Sequence, residues 1–442
     1  MKFKEKDIYL KINNGVLYLF QSQGLLKFSE YSTKINKDIA YVLSYCFNNL
    51  SLKEALLQYK QENPTVDLYM ITLGIAALTQ EKKLLSKKEP WDVLSTIIQE
   101  NDIYYPECLH IELTSKCNLH CFYCYRKSHE NLEESNRLDV NELKNIIVSL
   151  SERGLKIAEI TGGEPLLHPD LIEIIDTCYN NLSLISIITN GTLIDDLFIE
   201  KILPYKSRVL FSISLDSHLP EEHDRRCGKK GSFYKTVNGI KLLSKNGFIV
   251  RTAMAVDDNN WSQIEDTILF SKSIGVTKFA YSPILPFGRA EHNSSYWKNI
   301  SLEDAKYRDS YLKEKYSDFI HYIDKKGSQQ LYEKSNCGAG HTSYAMDPFG
   351  NIRICATFDE TEGVVGSLKT MTMHNLFTSE ICSLSSKIPP PKPEICGNCE
   401  YLYFCMGCFL RGSKKAPIIG FENCNWAKEK NVKKWLSSIN VH

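Results

Sequence analysis

The sequence lacks long hydrophobic runs and any excess of charge of one sign. No stretch of about 18 apolar residues occurs in its 442 residues, so we expect no membrane-spanning helix. The first residues, Met1–Asp7, lack the apolar core of a signal peptide. The 53 basic and 53 acidic residues cancel, which does not favour non-specific binding of nucleic acid. These absences argue against membrane and nucleic-acid-binding classes.

Cysteine, in contrast, is abundant. Fifteen cysteines in a chain without an export signal argue against a disulfide framework and favour metal ligands in a reducing, cytoplasmic location. A hydrophobic fraction of 43% and a charged fraction of 24% are typical of a soluble globular protein with a sizeable core. The length predicts about two to four domains.

Three cysteines lie in one short stretch, Cys117-Asn-Leu-His-Cys121-Phe-Tyr-Cys124. Three thiolates can hold three irons of a cubane iron–sulfur cluster and leave the fourth iron open for a ligand. Tyr123 precedes the third cysteine, where a flat ligand ring can rest against it. A zinc loop is the alternative, but zinc takes four ligands and usually pairs of cysteines. The stretch therefore predicts catalytic iron-binding residues at Cys117, Cys121 and Cys124.

Residues 1–90 look like a separate module. Two apolar segments flank Asn13-Asn14-Gly15, which is a hairpin signal. Strands followed by three short helices predict a small winged-helix-like domain. A DNA-binding winged helix is one interpretation, but basic and acidic residues are interleaved and no basic recognition helix stands out. The helices are predicted over about Lys37–Asn48, from the capping box Ser51–Glu54 to just before Pro64, and over about Asp67–Glu81.

A polar linker is predicted over residues 91–107, and a regular alternation of apolar strands and amphipathic helices follows it. Repeated strand–helix units predict an α/β fold with a parallel sheet, and six units predict a partial (β/α)6 TIM-like barrel over residues 108–300. The predicted strands are Leu109–Leu113, Ile157–Ile160, Leu184–Thr189, Val209–Leu215, Ile249–Val256 and Lys278–Leu285. The predicted helices are Val140–Glu152, Leu171–Asn180, Asp196–Leu203, Phe233–Lys245 and Trp261–Ser273.

Polar motifs follow the first four predicted strands. The cysteine stretch comes after the first strand, and Thr161-Gly-Gly-Glu-Pro165 after the second. Thr189-Asn-Gly191 follows the third strand, and Ser214-Leu-Asp216-Ser217 ends the fourth. Because chemistry in such barrels gathers at the C-terminal ends of the strands, we expect these motifs to face one cluster.

The cysteine stretch and these motifs resemble the radical S-adenosylmethionine (SAM) superfamily, over about residues 108–300. Cys117, Cys121 and Cys124 match its CxxxCxxC motif. The resemblance implies that SAM chelates the open iron. An electron from the cluster would then split the sulfonium bond, giving methionine and a 5′-deoxyadenosyl radical that abstracts hydrogen from the substrate. The cofactor would supply the difficult chemistry while the protein positions and shields it.

The same resemblance implies the SAM-binding residues. Gly162, Gly163 and Glu164 match the GGE segment that receives the methionine amino group, where glycine permits close backbone approach and a carboxylate pairs with an ammonium. Ser214 and Asp216 match the segment near the SAM ribose and carboxylate. The other residues assigned to cofactor binding are Tyr123, Thr189, Asn190 and Arg226.

One position departs from the family pattern. Relatives often place arginine three residues beyond the aspartate of His223-Asp224, where this chain has Cys227. Arg225 and Arg226 stand just before it, and Arg226 is the candidate substitute as a carboxylate partner. Cys227 is predicted to be a bystander rather than a ligand.

The C-terminal region, residues 337–442, is again rich in cysteine and follows a charged, helical-looking bridge over residues 301–336. A zinc ribbon is the alternative explanation for a CxxC pair with later cysteines. Joined to a radical SAM core, the pattern resembles a SPASM domain with two auxiliary iron–sulfur clusters, which would make three [4Fe–4S] clusters in all. The resemblance assigns Cys337, Cys355 and Cys408 to an inner cluster, and Cys396, Cys399, Cys405 and Cys424 to an outer cluster.

Two cubane clusters need eight ligands, so these seven cysteines leave the inner cluster with three ligands instead of four. Cys382 is one candidate for the missing ligand. The other hypothesis is an open iron that binds a cysteine thiolate of the substrate. Cys46, Cys108 and Cys178 lie in apolar periodic segments and are predicted to be buried small hydrophobes.

Over nearly its whole length the chain resembles the peptide-maturing SPASM enzymes, most closely the subtilosin-type thioether (sactipeptide) maturases. The N-terminal hairpin and helices resemble the PqqD-like peptide recognition element, in which the leader of a precursor peptide adds a strand to the sheet edge. The closer resemblance rests on Glu159–Glu164, Thr189–Leu193, Lys230–Phe233, Phe287–Arg289, Asn336–Gly340 and Cys408–Gly412.

The implied reaction is hydrogen abstraction from a precursor peptide, loss of a further electron to an auxiliary cluster, and formation of a cysteine sulfur-to-carbon bond. The implied partners are the precursor peptide and an electron donor such as flavodoxin or ferredoxin, with no nucleic acid. Carbon–carbon crosslinking and epimerisation are alternatives on the same scaffold, as is a formylglycine-generating maturase that acts on a sulfatase. A zinc-binding winged-helix regulator is the alternative from another class.

Overall fold

The computed structural model describes most of the chain. Among the described residues, no helix is both long and apolar enough to cross a bilayer. The predicted linker and the second half of the predicted bridge lie largely outside the described residues. The described residues are 8–13, 16–21, 31–47, 50–82, 103–285, 287–291, 302–320, 337–358 and 361–439.

The N-terminal part forms a three-stranded antiparallel sheet followed by three helices. Strands β1 (Ile8–Asn13) and β2 (Val16–Gln21) pair as the hairpin signal predicts. A third strand, β3 (Tyr31–Ile35), pairs with β2 and was not predicted, because its segment lacks a regular apolar alternation. The helices lie at the predicted positions, namely α1 (Lys37–Phe47), α2 (Leu52–Glu62) and α3 (Leu68–Lys82).

The predicted capping box begins α2. Ser51 Oγ accepts the backbone N–H of Glu54 at 3.3 Å, and the Glu54 carboxylate accepts the Ser51 N–H at 2.8 Å. Both otherwise unpaired donors of the helix start are thereby satisfied. The three helices bury a small core of their own, formed by Ala40, Val42, Leu43, Ala55, Tyr59, Ile71 and Ile75.

Six parallel strands form the centre of the molecule, in the spatial order β4-β5-β6-β7-β8-β9. Each strand pairs in parallel with the next one along the chain, which requires a crossover between them. The predicted α/β fold with a partial (β/α)6 barrel is confirmed. The strands are β4 (Cys108–Glu112), β5 (Ile157–Thr161), β6 (Leu184–Thr189), β7 (Val209–Ser214), β8 (Ile249–Val256) and β9 (Lys278–Pro283).

Amphipathic helices connect these strands. In the first of them, Leu143, Ile147 and Leu150 recur at helical spacing and are buried against the sheet. The helices are α4 (Val140–Ser151), α5 (Leu171–Asn181), α6 (Asp196–Ile202), α7 (Pro220–Cys227), α8 (Ser232–Lys245) and α9 (Ile264–Ser273). Short 3₁₀ turns cover Pro165–Leu167, Leu203–Tyr205, Trp261–Gln263 and Gly288–Ala290. The described part of the predicted bridge holds α10 (Leu302–Lys315).

The cysteine-rich region continues the barrel sheet. Strand β10 (Ser343–Met346) pairs in parallel with β4 on the side away from β5, with Ala345 opposite His110. Strands β11 (Asn351–Arg353) and β12 (Val364–Ser367) then add in antiparallel pairing, which gives a nine-stranded sheet. A pairing across more than 200 residues leaves no local pattern in the sequence, so this continuity was not predicted.

Short helices complete the C-terminal region and pack around two tryptophans. Trp426 and Trp435 are buried with their ring centroids 6.5 Å apart, and Trp435 Nε1 donates to Ser385 Oγ at 2.9 Å. These tryptophans belong to the same hydrophobic core as the barrel. The helices are α11 (Met373–Phe377), α12 (Glu380–Lys387), α13 (Pro393–Cys396), α14 (Leu402–Cys405), α15 (Phe409–Ile419), α16 (Asn425–Lys428) and α17 (Lys430–Ser438).

A buried ion-pair group joins the two halves of the sheet. Glu112, at the end of β4, accepts from Arg353 of β11 at 2.7 Å and from Arg126 at 2.9 Å. Arg353 also donates to the carbonyl oxygen of Phe358 at 2.6 Å. Glu112 and Arg353 are almost completely buried, so each charge depends on the other for compensation.

We expect Arg353→Met to destabilise the protein by about 3–5 kcal/mol, because it removes one partner of a buried charge pair. Denaturant unfolding of wild type and variant measures this loss. The matched control is Lys434→Met, which removes an exposed ion pair with Glu380 and should change the unfolding free energy by no more than about 1 kcal/mol. Equal losses in the two variants would contradict the role given to the buried pair.

Candidate functional site

The loop that follows β4 carries the three cysteines of the CxxxCxxC motif. Cys117, Cys121 and Cys124 are all half-buried, and the Cys124 N–H donates to the Cys121 carbonyl at 3.2 Å. Burial raises the pKa of the Cys117 thiol to about 12, and the nearby Glu164 carboxyl and the other two thiols add to that rise. A thiolate at this place therefore needs a metal cation to form. The three donors fit an iron–sulfur cluster on this loop.

The segment Phe287-Gly288-Arg289 holds this loop in place. Arg289 Nε donates to the Cys121 carbonyl at 2.7 Å, and the Arg289 N–H donates to the Cys124 carbonyl at 3.0 Å. Gly288 has φ +61°, and a Cβ on it would lie 2.4 Å from the Cys124 carbonyl oxygen. Only glycine fits there. The sequence predicted these residues only as part of the family resemblance. In the structure they fix the position of the cysteine loop.

The glycine pair after β5 packs directly against the chain that enters the cysteine loop. A Cβ on Gly162 would lie 2.4 Å from the Thr114 carbonyl oxygen, and one on Gly163 would lie 2.1 Å from the Lys116 carbonyl oxygen. The Gly163 N–H donates to Thr114 at 2.6 Å, and the Glu164 N–H donates to Lys116 at 2.8 Å. The absence of side chains thus permits a backbone-to-backbone contact that sets the base of the loop.

Glu164 is fully buried behind these glycines. Its carboxylate accepts from Thr189 Oγ1 at 2.6 Å, from the Asn190 N–H at 2.9 Å and from the Leu166 N–H at 3.1 Å. Burial raises the pKa of this carboxyl to about 6, although the three hydrogen bonds lower it. A carboxylate offers about four acceptor positions, so one position remains beyond these three bonds. The predicted residues Glu164, Thr189 and Asn190 therefore form one connected unit.

Asn118, which sequence reasoning missed, extends this unit into the cysteine loop. Its Oδ1 accepts from Asn190 Nδ2 at 2.8 Å, and its Nδ2 donates to Thr192 Oγ1 at 2.8 Å. The Lys229 ammonium donates to the Asn118 backbone carbonyl at 2.8 Å. The position of Asn118, directly after the first cysteine, was the available signal.

Tyr123 and Asp216 meet at the other side of the loop. The Tyr123 hydroxyl donates to the Asp216 carboxylate, whose second oxygen accepts the Ala255 N–H at 2.8 Å. Asp216 is fully buried, and Asn260 donates to its backbone carbonyl at 3.0 Å. Ser214 lies two residues earlier, half-buried at the end of β7 and paired in register with Ala253. The structure therefore brings Tyr123 and Asp216 together and leaves Ser214 beside them.

Arg226 supports the aromatic residues of the loop from below. Its guanidinium lies 5.2 Å from the ring centroid of Phe122 and 5.8 Å from that of Tyr123. It donates to Asp257 at 3.1 Å and to the Ala255 carbonyl at 2.8 Å, and it is fully buried. Asp257, which sequence reasoning missed, is thus the carboxylate that Arg226 binds in this structure.

Cys227 contacts a cysteine of the loop. A hydrogen bond between the two thiols lowers the pKa of Cys121 and raises that of Cys227. The Asp216 N–H donates to His223 Nδ1 at 3.3 Å, so the remaining proton of a neutral His223 sits on Nε2, 3.4 Å from Cys227 Sγ. Burial lowers the pKa of His223, which favours this neutral form. Cys227 therefore belongs to a hydrogen-bonded chain that ends on Cys121.

The C-terminal cysteines fall into two groups in space. In the first, Cys337 as a residue is exposed, but desolvation of its thiol and the nearby thiols of Cys355 and Cys408 raise its pKa to about 12. In the second, burial raises the pKa of Cys405 to about 12, with further rises from the neighbouring thiols of Cys424, Cys399 and Cys396. The second group borders a cavity of about 610 Å³ lined by Cys396, Cys399, Cys424, Tyr401 and Ile418 among others. The structure therefore brings the three cysteines assigned to the inner cluster together, and likewise the four assigned to the outer cluster.

Three other cysteines lie away from these groups. Cys178 is fully buried in the apolar core, as expected. Cys382 is also fully buried, 3.3 Å from Ser379 Oγ and 3.7 Å from the Leu376 carbonyl, and no other thiol of the described chain influences it. Cys108 differs from the expectation, because it is only half-buried and lies beside the polar side chains of His110 and Glu159. The side chain of Cys46 lies outside the described part of the structure, so its predicted burial stays a prediction.

Comparison with known proteins agrees with this arrangement. Residues 111–271 match the model of the radical SAM superfamily. The chain is 31% identical over 347 residues to the antilisterial bacteriocin subtilosin biosynthesis protein AlbA of Bacillus subtilis (strain 168), which covers 76% of this chain and 75% of AlbA.

Two crystal structures of SuiB from Streptococcus suis share the fold. The structure bound to S-adenosylmethionine has a TM-score of 0.66 at 16% identity and covers 93% of this chain and 96% of SuiB. The structure bound to the precursor peptide SuiA has a TM-score of 0.66 at 15% identity and covers 94% of this chain and 97% of SuiB. At these low sequence identities, the similarity shows only that the two proteins share a fold.

We expect Gly163→Ala to displace the cysteine loop, because the new Cβ would overlap the Lys116 carbonyl oxygen. The variant should lose about 1–3 kcal/mol of unfolding free energy, typical of overpacking, and its three loop thiols should be alkylated faster in the metal-free protein. Thermal unfolding and mass spectrometry after iodoacetamide treatment measure the two effects.

Gly231→Ala is the control for backbone strain alone. Gly231 has φ +82° and open space around its Cβ position, so this variant should be destabilised by about 1–2 kcal/mol without faster alkylation of the loop. Equal alkylation rates in both variants would show that the glycine pair does not set the loop.

Proposed function

The chain belongs to the radical SAM family of peptide-modifying enzymes, in which AlbA is a relative, and we propose that it forms cysteine sulfur-to-carbon thioether crosslinks in a precursor peptide. The observation that carries the proposal is the combination of a three-thiol loop at the barrel mouth with two further thiol groups in the C-terminal region, whose strands continue the barrel sheet. A barrel with one cluster suffices to make a radical, whereas the further thiol groups suit the removal of a second electron.

We assign the catalytic loop as follows. Cys117, Cys121 and Cys124 hold the first [4Fe–4S] cluster and leave one iron open for SAM, which when bound supplies a 5′-deoxyadenosyl radical. The half-buried backbone of Gly162 and Gly163 and the remaining acceptor of Glu164 would face the methionine amino group. Thr189 and Asn190 fix the orientation of that carboxylate through the hydrogen bonds described above.

Tyr123, Ser214 and Asp216 lie on the opposite side of the proposed SAM site. The hydroxyl of Tyr123 is held by Asp216, so its ring has a fixed orientation against the cofactor. Arg226, bound to Asp257, supports that ring from behind rather than reaching the cofactor itself. These residues position the cofactor and keep water from it.

The thioether reaction balances with one auxiliary electron acceptor. One hydrogen atom leaves the peptide carbon to the 5′-deoxyadenosyl group, giving 5′-deoxyadenosine. The cysteine thiol of the peptide loses its proton and its sulfur joins the carbon, with release of one electron that an auxiliary cluster held by the C-terminal cysteines would accept. The peptide thus loses two hydrogens for each crosslink, and no other oxidant is needed.

The inner thiol group supports a direct role in holding the substrate. Cys337, Cys355 and Cys408 supply three ligands, and the thiol of Cys382 is engaged in the core by Ser379 and Leu376. An auxiliary cluster held by these three cysteines would lack a fourth ligand from the described chain, and the substrate thiolate would supply it. Binding there would deprotonate the thiol and hold its sulfur near the electron acceptor.

The number of clusters is the first testable part of this assignment. A chain with three [4Fe–4S] clusters should hold about twelve irons after anaerobic reconstitution. We expect Cys355→Ala and Cys396→Ala each to lower the count to about eight, because each removes a ligand of one auxiliary cluster only. Iron and sulfide determination, with zinc measured in the same samples, gives the count.

Cys178→Ala is the matched control, since Cys178 is a fully buried thiol remote from both groups. It should retain the wild-type iron content. A wild-type count near four irons, or zinc in place of iron, would contradict the assignment of auxiliary clusters.

The remaining parts of the chain support a peptide substrate. SuiB, which shares the fold, has been crystallised with its precursor peptide, and the three-stranded N-terminal sheet of this chain has two edge strands to which a leader can add by main-chain hydrogen bonds. We assign residues 1–90 to leader binding, 91–107 to a linker, 108–300 to the SAM barrel, 301–336 to a bridge and 337–442 to the auxiliary clusters. A flavodoxin or ferredoxin in the cytoplasm would supply the electron.

Competing reactions on the same scaffold differ in their products. Carbon–carbon crosslinking leaves the peptide thiols free, and epimerisation leaves its mass unchanged. A formylglycine-generating maturase would act on a sulfatase and has no need of the N-terminal module. A zinc-dependent regulator would contain no iron.

We expect anaerobic incubation with SAM, a reductant and the cysteine-containing precursor peptide encoded beside the gene to remove two hydrogens per crosslink and to protect the same number of cysteines from alkylation. Mass spectrometry of the peptide and detection of 5′-deoxyadenosine measure the reaction. Cys117→Ala should abolish both signals, whereas Cys178→Ala should retain them.

Each alternative has its own outcome in this assay. Loss of two hydrogens with all peptide thiols still free would indicate carbon–carbon crosslinking instead of thioether formation. Incorporation of deuterium from heavy water without loss of hydrogens would indicate epimerisation. The absence of 5′-deoxyadenosine under every condition would overturn the assignment of the cysteine loop.

A further inference from the structure

The inner face of the barrel carries charged groups that the SAM site does not use. Along β4, Leu109 and Ile111 are buried against the helices, whereas Cys108 and His110 face the barrel interior and are half-buried. Along β5, Glu159 faces the same interior and pairs in register with His110. A barrel interior built only for stability is normally filled by apolar side chains. These side chains therefore point to a ligand site.

His110 and Glu159 form a close pair. His110 Nδ1 lies 2.7 Å from the Glu159 carboxylate, and about a quarter of each side chain is exposed. Burial lowers the pKa of His110, but Glu159 and Glu112 outweigh it, so the pKa is raised overall. His110 lies two residues before the end of β4, about 7 Å below the mouth of the barrel where the cysteine loop begins. This pair therefore lies below the cysteine loop, on the two strands that lead to that loop and to the glycine pair.

Arg251 of β8 joins the pair from across the barrel. Its Nε and Nη2 both donate to Ser212 Oγ, at 3.2 and 2.9 Å, and its charge acts on Glu159. Within the described chain, Arg251 Nη1 and His110 Nε2 have no hydrogen-bond partner, and neither atom is sealed from solvent. Arg251 Nη1 is thus available as a donor to a ligand, and His110 Nε2 becomes a second donor when the imidazole is protonated.

A metal ion is the first alternative, because Cys108, His110 and Glu159 place their ligand atoms within 4.8 Å of one another. The guanidinium of Arg251 opposes it, since a second cation next to a metal ion in a medium of low dielectric constant is strongly repelled. With His110 protonated, two cations and one carboxylate leave one uncompensated positive charge. A partly buried net charge favours a ligand of opposite sign.

We propose that Arg251 and His110 bind a carboxylate of the precursor peptide inside the barrel, either a side-chain carboxylate or the C-terminal one. The inference rests on the proposed peptide substrate. A carboxylate is the natural partner for a guanidinium with one free amino group and an imidazole N–H. Holding it about 7 Å below the barrel mouth would fix the register of the peptide relative to the radical. The site would thereby select which residue is modified.

SAM is a second source of a carboxylate in this barrel. The proposal commits to the peptide, because the methionine part of SAM is assigned to the glycine pair and Glu164, which follow the end of β5, above the interior layer of Glu159. Equilibrium binding of SAM without peptide separates the two sources.

The test measures binding of the precursor peptide to the SAM-loaded holoenzyme by isothermal titration calorimetry. It compares wild type with Arg251→Gln and Arg251→Lys, using a peptide series in which each Asp and Glu is replaced by its amide in turn and the C-terminus is amidated. We expect Arg251→Gln to weaken binding about ten- to hundredfold, as for loss of a charged hydrogen bond, and Arg251→Lys to restore part of it. One neutralised peptide should bind the wild type as weakly as the unmodified peptide binds Arg251→Gln. The same neutralised peptide should bind Arg251→Gln no more weakly than the unmodified peptide does.

Arg208→Gln is the matched control, because Arg208 is also half-buried but lies outside the barrel, where it donates to the Tyr179 carbonyl at 2.8 Å. It should leave peptide binding unchanged. Circular dichroism and iron content of every variant show whether the fold is retained, and Arg251→Lys keeps the test decisive if Arg251→Gln does not fold.

Several outcomes would overturn the proposal. The first is a loss of peptide affinity in Arg251→Gln that adds to the loss caused by every neutralised peptide. The second is an equal loss of SAM affinity in Arg251→Gln without peptide. The others are stoichiometric zinc bound at His110 in the cluster-loaded protein and no peptide binding by the wild type. Peptide binding that depends on Arg251 but yields no thioether would support this site while rejecting the proposed crosslinking reaction, so the two failures are distinguishable.

Discussion

Strand β4 and its pairing on both sides are the constraint on which the rest of the structure depends. On one side β4 pairs with β5, which brings the glycine pair to the base of the cysteine loop. On the other side it pairs with β10, which attaches the region of the auxiliary cysteines to the same sheet. At its end Glu112 binds Arg353, two residues before Cys355. One strand therefore fixes the spacing between the cysteine loop and the cysteines of the proposed electron acceptor.

The loop itself is held mainly by backbone contacts rather than by its own side chains. Gly163 and Gly288 approach its two ends more closely than any side chain would allow, and Arg289 donates to the Cys121 carbonyl. The side chain of Asn118 adds hydrogen bonds to Asn190 and Thr192. Such a scaffold leaves the three thiols free for metal, because none of them is needed to close the loop. It also explains why small residues recur around a site whose chemistry belongs to a cofactor.

Much of the barrel and of the cysteine loop could be predicted from the sequence, because both depend on local patterns. Six apolar segments at regular spacing gave the strands almost to the residue, and the thiol spacing gave the loop. The pairing of β10 with β4 could not be predicted, since it joins segments more than 200 residues apart. Asp257 and Asn118 were missed because single polar residues in loops have no periodicity, and Cys108 was misjudged because its strand has a polar inner face.

The distribution of charge follows from the same architecture. Glu112 and Arg226 are compensated within the chain, by Arg353 and Arg126 in one case and by Asp257 in the other, and both lie at the mouth, where they support the loop. The interior group differs, because Arg353 and Arg126 both contact Glu112 directly, whereas Arg251 hydrogen-bonds only to the neutral Ser212 and only His110 contacts Glu159. A protein that only needed a stable barrel would fill that layer with apolar side chains, which bury no charge. An incompletely compensated site below the mouth is therefore better explained by a ligand that arrives with its own negative charge.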